Sequence, residues 1–128
     1  MLRFAAFVLI LALAPVAAAQ ESASQVPAWF TEHVEYLVGD GGTWITDNSA
    51  YKNDDEPYDA YELVWTHGIG KRSAIGVMRA ITDGKRSGKL WEFRLFWHPG
   101  EKTAMLEQFH WYGIYGIGTI QSVDASSR

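Results

Sequence analysis

From Lys89 to His98 the chain alternates. Trp91, Phe93, Leu95 and Trp97 are large and apolar, and Glu92 and Arg94 between them are charged. Side chains of a strand point alternately to its two faces, so period two reads as a β-strand with one apolar face. On a helix the same four residues would scatter around the axis with charges among them. Turn formers bound the run, Asp83-Gly84 before it and Pro99-Gly100 after it. It is the natural central strand of an antiparallel sheet.

The other segments read as its neighbours. Pro27 suits the first turn of a helix. Trp29, His33 and Leu37, with Phe30 and Val34, recur at three- and four-residue spacing and give that helix one apolar stripe, which Gly39 ends. Thr43-Trp44-Ile45-Thr46 predicts a first strand, and Asp47 to Pro57 a long polar loop. Tyr58–His67 predicts a second strand, joined by a tight turn at Gly68-Ile69-Gly70-Lys71 to a third over Arg72–Thr82. Gly76 in that third strand signals a bend or a close approach. A loop is expected over Asp83–Gly88, a fifth strand over Thr103–Trp111, a turn at Tyr112-Gly113 and a sixth strand over Ile114–Val123. The fold class is all-β: an antiparallel up-and-down meander after one short helix. A small barrel closes with about eight strands, and the count here is six. Either a strand hides in the polar loop, or the sheet closes on the helix or a second chain, or the barrel is incomplete.

Composition narrows the setting. Met1-Leu2-Arg3, the apolar run Phe4–Leu13 and Ala17-Ala18-Ala19 together predict a secretory signal peptide over residues 1–19. The run is short for a membrane span, which needs about 20 residues. An uncleaved N-terminal anchor is the alternative. The expected organisation is a linker at 20–26, a β domain at 27–123 and a tail at 124–128. Export to the periplasm or the extracellular space follows, with no stable membrane anchor after cleavage. The chain without its signal carries a net charge of −5 and no basic block, which argues against nucleic acid as a partner. There is no cysteine, so neither disulfides nor thiolate chemistry contribute. Six Trp and six Tyr point to an aromatic core or an aromatic-lined pocket.

Gly42-Thr43-Trp44, placed after a short helix and at the start of the first strand, resembles the Gly-x-Trp signature of lipocalins and other calycins. The meander over roughly residues 27–121 is similar to the calycin topology and to exported, uncharacterised lipocalin-like proteins. The chain departs from classical lipocalins: it has no Thr-Asp-Tyr motif, no disulfide and no C-terminal helix pattern. The resemblance implies a calycin-like barrel or partial barrel, with the Trp closing its base under the helix. It also implies a cup for a small, largely apolar molecule.

Candidate binding residues are the alternating apolar positions Tyr61, Leu63, Trp65, Val77, Trp91, Phe93, Leu95, Trp97, Phe109 and Trp111. They serve as packed core, as cavity lining, or as both in different layers. Glu62, Glu92, Arg94, Glu107 and Gln108 are read as the solvated side of the sheet, with a ligand-orienting cluster as the alternative. His67, His98 and His110 lack metal-site spacing; His110 alone invites an axial haem ligand, and no other cofactor is indicated. Asp47, Asp54, Asp55, Glu56 and Asp59 form an acidic loop without the spacing of a calcium loop. No nucleophile pairs with a base, so no catalytic residue is nominated. The expected function is an exported small-molecule binding protein. The alternatives are an enzyme using Glu92, Arg94 or His110, and a module whose open sheet edge pairs with a partner or a second copy.

Overall fold

The computed structural model describes residues 26–120; the expected signal peptide, most of the linker and the tail lie outside them. Helix α1 spans Ala28–Val38. Pro27 precedes it in extended conformation, and its carbonyl accepts from the Phe30 and Thr31 N–H groups. The helix buries Phe30 and Val34 and leaves Glu32 and Glu35 exposed, as the stripe predicts. Asp40, Gly41 and Gly42 then take positive φ and swing the chain back onto the sheet. Gly42 is required twice over: its φ is 66°, and a Cβ there would stand 2.1 Å from the Trp65 carbonyl oxygen. Its own carbonyl accepts from the Trp65 N–H at 2.8 Å.

Six strands follow: β1 Thr43–Asp47, β2 Ala60–His67, β3 Ser73–Thr82, β4 Lys85–His98, β5 Thr103–His110 and β6 Tyr115–Ile120. Each pairs antiparallel with the next, in the order β1-β2-β3-β4-β5-β6. The meander is as expected. Among the described residues β1 and β6 do not pair, so the sheet is not closed. Of the described helices none is long and apolar enough to cross a membrane.

Strand ends shift by a residue or more from expectation, and three of the shifts have a visible cause. Lys85–Gly88 belongs to β4 and not to a loop, because Asp83 and Gly84 both take positive φ and reverse the chain in two residues. β2 starts at Ala60, since Asn48 and Asp59 keep the preceding segment tied into the loop. β5 ends at His110, and Trp111 lies in the turn, where its N–H donates to the Leu90 carbonyl at 3.0 Å. Between Met78 and Ile81 the β3–β4 pairing shifts register twice, and Ser87 Oγ accepts the Ala80 N–H at 2.9 Å. Such irregularities bend a strand and re-aim its side chains.

The core lies between α1 and one face of the sheet. Phe30 and Val34 pack on Trp65, Ala74, Leu95 and Ala104. Trp97 meets the rings of both Trp29 and Phe30 at 6.0 Å. Cross-strand partners on this face pair large with small: Trp65 with Gly76, Tyr61 with Ala80, Leu95 with Ala74, Trp97 with Ala104. A Cβ at Gly76 would lie 2.9 Å from the Trp65 ring, so the close approach is that of an indole lying on bare backbone. Full burial of a side chain such as Phe30 or Leu95 stabilises the fold by about 1.5–3 kcal/mol.

Candidate functional site

α1 covers only one end of its face. At the other end, Tyr61 of β2, Met78 of β3, Trp91 of β4 and His110 of β5 stay clear of it and form the floor of a cleft of about 540 Å³. One wall is the segment Asn53–Tyr58, and the other is the turn bearing Trp111 and Tyr112.

The loop that makes the first wall is held by its own polar groups. Asn53 and Glu56 exchange backbone hydrogen bonds at 3.1 and 3.2 Å. Asn53 Oδ1 also accepts the N–H groups of Asp55 and Glu56. Buried Asn48 donates its side-chain amide to the Tyr58 carbonyl at 3.2 Å. Asp59 ties the loop to the sheet: its N–H donates to the Ile81 carbonyl, and its carboxylate accepts the Asp83 N–H at 2.7 Å and pairs with Lys52. The Lys52 hydrogen bond holds the Asp59 carboxyl below its ordinary range. Inside the cleft the Tyr61 hydroxyl donates to the Glu56 carboxylate. Partial burial and that neighbouring charge push the Tyr61 phenol well above its usual pKa.

The floor and the second wall are aromatic. His110 packs edge-on against Trp91 at 4.4 Å and lies 3.8 Å from the Tyr112 ring. Trp111 and Tyr112 are 4.4 Å apart and exposed. Trp91 stacks on Phe93 at 6.1 Å, and Phe93 meets Trp65 at 6.0 Å. A line of rings thus runs from the open cleft into the core.

Of the predicted lining residues, Tyr61, Trp91 and Trp111 reach the cleft. Leu63, Trp65, Phe93, Leu95 and Trp97 share its face, but Trp65 and Leu95 are buried under the helix. Val77 and Phe109 lie on the opposite face, since both stand across from Glu92. The face of each strand depends on register, and register depends on turn length. The odd positions of β2 and β4 share a face with the even positions of β3 and β5. Asn53, Tyr58, Met78, Leu90 and Tyr112 line the cleft without having been singled out from sequence. Parity counted through each hairpin would have found Met78; the loop and turn residues carry no periodic signal.

Of Glu92 and Arg94, only Glu92 lines a cleft with His110, a second one of about 280 Å³ that Lys89 and Phe109 also line. Glu92 pairs with Lys89 at 2.9 Å, and Arg94 sits over the Phe109 ring at 5.7 Å, both on the face away from α1. Glu62 lies on that face too, only 3% exposed beneath Arg86, whose Nη2 is 2.6 Å from its carboxylate. Gln108 is on the helix face, across from Phe93. His67 bonds Glu35 of the helix at 3.0 Å, and His98 Nδ1 accepts the Glu101 N–H. Among the described residues no three His, Asp or Glu side chains cluster to hold a metal ion. Comparison of the chain with family models, curated proteins and solved structures found no match to any of them.

Proposed function

We propose that the chain is an exported, lipocalin-like binding protein that holds a hydrophobic or amphipathic small molecule against its aromatic face. The observation that carries this reading is the cleft of about 540 Å³ at the uncovered end of the helix face, floored by Trp91, whose ring stacks on Phe93 behind it. Ligand sites are concave, largely apolar and fitted with a few polar groups, and the Glu56–Tyr61 pair supplies such groups. The Gly-x-Trp element supports the family likeness: the Trp44 indole N–H donates to the Leu37 carbonyl at 2.9 Å and so ties the first strand to the end of the helix. The signal-like residues 1–19 support a periplasmic or extracellular location.

The test is titration of the exported protein with fatty acids, retinoids, steroids and haem, read by tryptophan fluorescence and calorimetry. A ligand of this site changes the emission of the wild type and much less that of Trp91→Phe. A panel that produces neither heat nor a fluorescence change would sink the reading. Haem binding lost in His110→Ala would assign His110 as its ligand.

A second reading, a module that pairs with another copy or a partner, is favoured by one observation. Phe109, Tyr115 and Ile117 are exposed on the face opposite α1, with Tyr115 and Ile117 on β6. A concentration-dependent dimer in sedimentation, abolished by Ile117→Lys, would support it.

A further inference from the structure

The residues around the cleft also define the charge of what it takes. Asp55 and Glu56 stand on the loop wall, and the rings of Tyr58, Trp91, Trp111 and Tyr112 line the walls and floor; no lysine or arginine lines the cleft. The Asp55 carboxylate makes no hydrogen bond or ion pair among the described residues. Glu56 accepts the Tyr61 hydroxyl through Oε1 alone, and a carboxylate has further acceptor sites. An anionic head group would meet two carboxylates and no cationic lysine or arginine. A neutral apolar group would strip water from the carboxylates and return nothing. A diffuse organic cation satisfies both, because its charge faces carboxylates and ring faces while its methyl groups pack on the rings.

We propose that the cleft binds a quaternary or trialkyl ammonium group. Where the ligand is an amphiphile, its chain lies along Met78 and Leu90, the aliphatic side chains that line the cleft. The inference rests on the proposed ligand cup and specifies its occupant. The cation comes either from a free ammonium compound or from the head of an amphiphile. Both present the same chemistry to the cleft.

Calorimetry on the exported protein tests this with three eight-carbon probes below their micelle concentrations: octyltrimethylammonium, octanoate and octyl glucoside. Tetramethylammonium serves as the head alone. The titrations run at low salt and at pH 8.5. The expected result is a preference of about tenfold or more for octyltrimethylammonium over both other probes, shrinking at high salt. Asp55→Asn, a change on an exposed loop position, is expected to remove most of that preference without shifting the melting temperature, and adding Glu56→Gln removes the rest. Binding of tetramethylammonium alone supports the inference and points to a free cation; binding only of the chain-bearing cation supports it and points to an amphiphile. Equal or tighter binding of octanoate or octyl glucoside overturns the cation and leaves the cup standing. No binding of any probe, together with silence across the wider panel above, overturns the cup and the inference with it.

Discussion

A single residue decides how the chain leaves its helix. At Gly42 a methyl group would meet the Trp65 carbonyl at 2.1 Å, and the backbone stands at a φ that disfavours any side chain. Gly42→Ala is therefore expected to lower stability by about 3 kcal/mol. Gly41→Ala shares the positive φ but meets nothing within 4 Å and should cost about 1–2 kcal/mol; urea unfolding of the two variants measures the difference. Glu62 makes a prediction in pH. Hydrogen bonds from Arg86 hold its carboxyl below the ordinary 4.5, against the desolvation that opposes them. A carboxyl more acidic in the folded chain than in the unfolded one contributes stability above pH 4.5 and loses it as pH falls through the lowered folded value. Glu62→Gln should cost about 1–2 kcal/mol at pH 7 and flatten the fall of the melting temperature below pH 4.5. A mutant profile parallel to the wild type would show that the pair contributes nothing.

At the scale of elements, the polar loop is a wall whose attachment runs through Asp59. Asp59→Ala removes the bond to the Asp83 N–H and the pairing with Lys52. Hydrogen exchange at residues 53–58 should rise several-fold, while the amides of β3 and β4 stay protected, since local opening needs less free energy than global unfolding. Uniform acceleration across the sheet would mean the loop is part of the cooperative unit. Element type was legible in the sequence wherever period held: α1 and the six strands lie where the apolar spacing places them. What pattern within a strand cannot convey is phase between strands. In β3 the predicted lining residue Val77 lies in the row of Ile75 and Ile81, yet Ala74, Gly76, Met78 and Ala80 form the side of the sheet that carries the helix. The large rings of β2 and β4 fill the space above β3, so small residues are what its inner face requires. Of the cleft, Tyr61, Trp91 and Trp111 were legible as lining and His110 as a candidate ligand; their convergence was not, because the walls come from a loop and a turn that tertiary contacts position.

For the whole molecule, stability depends on one helix laid across one end of an open sheet. Phe30 and Val34 are fully buried there, and the chain has no cysteine to cross-link it. Phe30→Ala should cost about 3–5 kcal/mol, a large part of the 5–15 kcal/mol available to an ordinary domain. The expected readout is a melting temperature lowered by well over 10 °C or a chain unfolded at 37 °C; a shift of a few degrees would show that α1 is dispensable to the sheet.

The indole of Trp65 resting on Gly76 carries a consequence for how this sequence can change over time. Neither position can drift alone: a side chain at 76 collides with the ring, and a smaller residue at 65 leaves a void above bare backbone. Substitutions there are expected to arrive as compensating pairs. A double-mutant cycle should show it, with Trp65→Leu and Gly76→Ala each harmful singly and the combination less harmful than their sum. Sister sequences of this chain would then carry the same filled volume at the two sites, distributed differently between them.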